Sequence, residues 1–167
     1  MRNDLSAAYV RSILRYDART GRIYWRRNGG RARTGKRAGT VSGRGYRYVQ
    51  IDGIKYAEHR IIWLIVKGRW PSKHLDHIDT DSINNKFGNL RQAGGTQNQA
   101  NTRRRSDNLS GIKGVYWNPS RHKWQVQIQV GRRKRFLGRF AKHEKKKAAA
   151  AYLRAARAAF GEFARAA

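Results

Sequence analysis

The apolar pattern changes period several times along the chain, and each change predicts an element. Leu5, Ala8, Tyr9, Ile13 and Tyr16 recur at nearly helical spacing, which predicts a short helix capped by Ser6. The turn DARTG ends it, and GRIYWRR follows as a strand. Gly29 to Gly45 is a glycine-containing basic loop with a phosphate-touching role as its alternative. Tyr46 to Ile51 alternates as a strand does, Asp52-Gly53 is a hairpin turn, and IKYAEH returns. His59 to Val66, HRIIWLIV, is the most apolar stretch and predicts a buried helix stopped by Gly68 and Pro71.

A short strand, Leu75 to Ile78, comes next, then a polar loop and a second short strand at Asn89-Leu90-Arg91. Gly94-Gly95 breaks that strand, and Thr96 is expected to cap a helix over residues 97–104 that carries Asn98 and Asn101 three apart on one face. The basic run Arg103-Arg104-Arg105 marks a boundary, after which GIKGVYWN, KWQVQIQV and KRFLGRF read as three strands. In the middle strand Trp124, Val126, Ile128 and Val130 alternate with Gln125, Gln127 and Gln129, so one face is apolar and the other bears amides. An alanine-rich helix over residues 142–160 has Ala148, Ala149, Tyr152, Ala155, Ala156 and Phe160 to cover the apolar face. The divisions expected are 1–44, a helix and basic lead-in, then 45–105 and 106–167.

Charge then narrows the partner. Thirty-eight basic residues face ten acidic ones over 167 positions, a net charge of +28 spread along the whole length. Such a chain meets nucleic acid, with steeply salt-dependent binding. No long apolar run and no cationic helix with bulky apolar residues supports a membrane partner. The absence of cysteine excludes disulfides and paired-thiolate zinc sites. The N-terminus lacks an export-type apolar core, so an intracellular, cytoplasmic protein is expected.

Against this background Asp76, Asp79 and Asp81 fall within six positions. Clustered carboxylates would repel a polyanion unless a cation sat between them. Asp76 is followed by His77, and Asn89 and Asn98 come after, so one segment offers a hard oxygen ligand, a base and amide ligands. The combination reads as a metal-dependent nuclease site. Asp79 and Asp81 are expected to form the loop, because Asp commonly bonds its own turn backbone, and His59 to pack or hydrogen-bond rather than to ligate.

The segment HRIIWLIVKGRWPSKHLDHIDTDSINNKFGNLRQAGGTQNQAN resembles the HNH endonucleases of the homing type often encoded by bacteriophages. The resemblance covers about Gly45 to Asn101, with DHID, NN, NL and QN..N in order and GRIYW as a lead-in. From SGIKGVYWNPSRHKWQVQIQV to AYLRAARAAFGEF the chain resembles the Apetala/ethylene-response-factor DNA-binding domain. These resemblances imply an α+β protein: a ββα-metal nuclease domain, then a three-stranded antiparallel sheet packed on one helix. They imply that His77 is the general base, that Asn89 holds the hairpin loop and orients the base, and that Asp76 and Asn98 ligate the metal. An all-oxygen set suits Mg²⁺, or Mn²⁺, better than Zn²⁺. Double-stranded DNA would be bound through Tyr116, Asn118, Gln125, Gln127, Gln129, Lys134 and Phe136, with Arg103, Arg104 and Arg105 on phosphate, and cut to 5′-phosphate and 3′-hydroxyl ends. A monomer is favoured, which would nick, with a dimer as the route to double-strand cleavage.

Two departures from the family patterns stand out: Thr80, where relatives commonly carry glycine, and the basic start of the last helix. The competing readings are a catalytically inactive DNA-binding regulator and an RNA-binding protein, the second of which explains the charge but not the site.

Overall fold

The computed structural model describes residues 4–43, 45–101, 104 and 106–165. They mix helices with small antiparallel sheets and fall into two compact units, 1–93 and 94–167. No helix among them is long and apolar enough to cross a membrane.

The first unit opens with helix α1, Ala7–Ile13, whose N-cap Ser6 accepts from the Tyr9 N–H at 3.1 Å. The helix is shorter than its periodicity predicts. Leu14–Asp17 leaves it as strand β1 and pairs with β2, Arg22–Trp25. Val10, Ile13 and Leu14 face the core, and Ala8 lies exposed. Tertiary pairing with β2 outweighs the helical spacing that Tyr16 continues. In the basic loop Thr40–Val41 forms β3, which joins β4, Arg47–Ile51, and β5, Ile54–Ala57, in one sheet. Asp52 and Gly53 both take positive φ, 48° and 79°, as a two-residue hairpin turn of this kind requires.

Helix α2, Glu58–Lys67, ends at Gly68 in the left-handed conformation, with Ile61, Ile62, Trp63 and Leu64 buried. They join Val10, Ile23, Val49, Ile51 and Leu90 in the core. Strand β6, His74–His77, pairs with β7, Leu90–Ala93, in register Asp76↔Arg91 and His77↔Leu90. Asn89 is not part of the second strand, as its sequence suggests, but closes a 3-10 turn, Phe87–Asn89.

In the second unit helix α3, Gly95–Asn101, begins two residues earlier than the Thr96 cap predicts. Strands β8, Val115–Asn118, β9, Lys123–Val130, and β10, Arg133–Phe140, form an antiparallel sheet with β9 central. Helix α4, Lys145–Phe160, contacts all three strands and buries Ala148, Tyr152, Ala156 and Phe160. Gly114, at φ +65°, holds the sheet against α4. A methyl group there would meet the Gln127 carbonyl and the Tyr152 ring.

Candidate active site

The loop between β6 and β7 is folded by its own polar side chains. The Asp81 N–H donates to Asp79 Oδ1 at 2.8 Å, and the Ile83 N–H donates to Asp81 Oδ1 at 3.1 Å. Asn84 Nδ2 donates to Asp79 Oδ2 at 2.6 Å. Asn89 closes the loop from its far end: its Nδ2 donates to Asp79 Oδ1 at 2.9 Å and to the Asn84 carbonyl at 2.8 Å, and its Oδ1 accepts from the Asp79 N–H at 3.1 Å. Burial pushes the Asp79 carboxyl up. The bonds from Asn84, Asn89 and the Asp81 N–H, with His77 nearby, more than offset that and hold it below the ordinary carboxylate range. Asp79 and Asp81 are thus loop-forming residues, and Asn89 is the clasp.

His77 sits on the last position of β6, 5 % exposed. Its ring is not held by Asn89. Nε2 lies 2.9 Å from Asn85 Oδ1, and Asn85 Nδ2 donates to Glu58 Oε1 at 3.3 Å. Glu58 Oε2 accepts from Arg47 Nε at 2.9 Å, and Arg47 Nη2 donates to the Gly39 carbonyl at 2.6 Å. Glu58 is fully buried and Asn85 is 1 % exposed, so water does not compete for these bonds. Three stretches of the chain meet here: β4, the start of α2, and β6 with the loop after it.

The loop carrying Asn85 is braced by the β1–β2 hairpin. The Phe87 N–H donates to the Tyr16 hydroxyl at 2.8 Å. Gly21, at φ +71°, lies so close that a Cβ there would come 2.5 Å from Lys86 N and 2.8 Å from Asn85 C.

Two further rings flank His77. The His59 ring stands edge-on to it with centroids 5.3 Å apart, and Tyr46 lies 5.8 Å from His59 and 6.1 Å from His77. His59 Nδ1 is buried and makes no hydrogen bond. Burial, then the neighbouring His77 and Arg60, push its pKa down to about 3, so this ring is neutral under ordinary conditions and packs, as the sequence suggests.

Asp76, 7 % exposed, takes a separate partner. Its Oδ2 accepts from Arg91 Nε across the strand pair at 3.0 Å. Among the described residues no three His, Asp or Glu side chains converge as a metal cage. Asn98 is exposed on α3, in the second unit.

In the second unit the amide face is not uniformly open. Gln129 and Lys134 are exposed and pair across the strands, whereas Gln125 is buried and its Oε1 accepts from the Tyr116 hydroxyl at 2.6 Å. Phe136 is 57 % exposed opposite half-buried Gln127, with the Arg139 guanidinium 5.1 Å above its ring. Asn118 Oδ1 accepts from the Arg121 N–H at 3.1 Å and caps a turn. Arg104 Nη1 donates to the Asn108 carbonyl at 2.6 Å, and Arg103 and Arg105 lie outside the described residues.

Residues 56–100 match the family model described as HNH endonuclease. The chain belongs to the HNH endonuclease family. It is similar to Protein 3.8 of Escherichia phage T7, with 31% identity over 83 residues that cover 48% of this chain and 69% of that protein. No solved structure matches.

Sequence reasoning overlooked Arg47, Glu58 and Asn85. The Asn84-Asn85 pair stands in the motif as NN, but nothing in its spacing distinguishes the loop-forming member from the one that reaches the base. Glu58 opens an apolar helix, where an acidic residue is ordinary.

Proposed function

We propose that the protein is a metal-dependent endonuclease that hydrolyses phosphodiester bonds of double-stranded DNA at sites selected by its C-terminal segment. The observation that carries this reading is the His77 imidazole, anchored through one ring nitrogen on the buried Asn85–Glu58–Arg47 chain and joined in sequence to the Asp76 carboxylate. With Nε2 engaged by Asn85, Nδ1 is the nitrogen that takes the proton of the attacking water. The water oxygen bonds to phosphorus as the P–O3′ bond breaks, and the leaving 3′ oxygen takes a proton from solvent, so that 5′-phosphate and 3′-hydroxyl ends result. Asn89 acts on the loop, keeping Asp79 and the chain after His77 in place.

In this reading residues 45–105 form the ββα-metal nuclease domain that the family resemblance implies. The donor chemistry fits a small hard cation. Asp76 presents a carboxylate whose direction is fixed by Arg91, and the motif adds the amide oxygen of Asn98. So few protein donors suit Mg²⁺, or Mn²⁺, which retains several waters. When bound, such an ion supplies charge stabilisation on the phosphate and on the leaving oxygen.

Residues 106–167 are read as an Apetala-type DNA-binding domain. Gln127, Gln129, Lys134 and Phe136 contact DNA, Tyr116 and Gln125 act as a hydrogen-bonded pair, and Asn118 shapes the neighbouring turn. Arg103, Arg104 and Arg105 serve phosphate, the protein acts as a monomer that nicks, and it works in the cytoplasm beside its substrate.

The test is incubation with DNA of the source genome and with supercoiled plasmid, in Mg²⁺, Mn²⁺ or EDTA. Metal-dependent nicks or breaks with 5′-phosphate ends are expected. Tight binding with no cleavage in either metal would replace the enzyme with a DNA-binding regulator.

A further inference from the structure

We propose that Glu58 decides which nitrogen of His77 is the base, acting as a positioning residue two hydrogen bonds away from the ring. The inference rests on the reading of His77 as the base and adds the group that directs it.

A guanidinium only donates and a carboxylate only accepts. Arg47, fixed on the Gly39 and Ala38 carbonyls at 2.6 and 3.4 Å, gives its Nε–H to Glu58 Oε2. Glu58 Oε1 therefore faces Asn85 as an acceptor, and Asn85 must present Nδ2 to it. The amide cannot then present a donor to His77. Its Oδ1 faces Nε2, so Nε2 carries the ring proton and Nδ1 carries the lone pair. All donation converges on Glu58 from both ends, Arg47 on one side and His77 through Asn85 on the other. The chain is closed to water, since Glu58, Asn85 and His77 are 0, 1 and 5 % exposed.

A single exchange of acceptor for donor reverses the chain. Glu58→Gln keeps the shape but replaces one acceptor by a donor. The new amide keeps its oxygen on Arg47, because two donors facing each other there would clash with a charged group, and turns its NH₂ to Asn85. Asn85 must rotate, presenting its oxygen to position 58 and its NH₂ to His77. Nε2 then has to accept, and the proton moves to Nδ1. Exchanging the two groups, Glu58→Gln with Asn85→Asp, restores every direction. The amide at 58 accepts from Arg47 and donates to the carboxylate at 85, which accepts from Nε2–H.

The experiment follows the tautomer and the chemistry separately. Ring nitrogen shifts of His77 are measured by NMR at a pH well above the ordinary imidazole range, the signals being those that vanish in His77→Ala. Cleavage and DNA binding are measured on the same proteins. The wild type should be protonated on Nε2. Glu58→Gln should be protonated on Nδ1 and cut at least about 100-fold more slowly with DNA binding unchanged, that being the ordinary contribution of a general base. The double variant should regain Nε2–H and most of the rate. A Glu58→Gln protein that keeps Nε2–H, or that cuts at the wild-type rate, overturns the proposal. If Glu58→Gln alone does not fold, the double variant decides: Nδ1–H, or loss of cleavage, refutes control by Glu58. Should His77→Ala cut like the wild type, the base reading fails, and the nitrogen shifts still report whether Glu58 sets the tautomer.

Discussion

Gly21→Ala tests whether the β1–β2 hairpin holds the base's partner in place. Gly21 is buried at the hairpin turn with φ +71°, and a Cβ there comes 2.5 Å from Lys86 N and 2.8 Å from Asn85 C. The left-handed backbone alone costs an alanine about 1–2 kcal/mol. The overlap is with main-chain atoms, which cannot swing aside as a side chain end does, and adds about 1–3 kcal/mol. Allowing for the entropy glycine gives up on folding, about 0.5–1 kcal/mol, the net loss is roughly 1–4.5 kcal/mol. For a unit of this size that lowers Tm by at least about 4 °C. Relief comes by moving Asn85 and Lys86, so the bond from Asn85 to His77 lengthens and cleavage falls at least about tenfold, the equivalent of one buried hydrogen bond. The control is Gly88→Ala, which adds the same methyl at ordinary φ with nothing within 4 Å. Thermal melts and plasmid cleavage are read side by side. A Gly21→Ala protein that melts and cuts like Gly88→Ala refutes the bracing argument.

Thr80 adopts φ +64°, a strained conformation for a β-branched residue, so Thr80→Gly should raise the urea midpoint by the equivalent of up to about 1 kcal/mol; a lower midpoint contradicts it. The pKa of His59, held to about 3, lies below its ordinary value, so between about pH 6.5 and pH 3 the unfolded chain binds a proton that the folded one refuses. Stability is therefore complete above about pH 6.5 and falls by about 1.4 kcal/mol per pH unit below it, a slope that urea melts should find reduced in His59→Phe. Gly114→Ala should cost the second unit more than about 3 kcal/mol, seen as faster hydrogen exchange along α4, with α2 unaffected.

What was legible in the sequence was whatever depends on short-range pattern. HRIIWLIV, Asp52-Gly53, the alternation of β9 and the alanine-rich α4 all have signals within a few residues, and the structure places elements there. The turn-forming role of Asp79 and Asp81 is equally local. The failures share one cause, which is long-range pairing. Leu14–Asp17 is a strand because Arg22–Trp25 lies beside it, although its spacing continues a helix. Gln125 alternates as a surface amide but is buried against Tyr116 on the neighbouring strand. Arg47, Glu58 and Asn85 look like solvated polar residues in their own segments. Only when β4, α2 and the loop after β6 meet do they become a connected buried chain, whose members each satisfy the next.

The central claim is that His77 takes the water proton. Its most direct test is cleavage by His77→Gly with imidazole added to the solution. The variant should bind DNA like the wild type, cut at a small fraction of its rate, and recover as imidazole rises, in proportion to the unprotonated fraction. A His77→Gly protein that cuts at the wild-type rate without imidazole would contradict it.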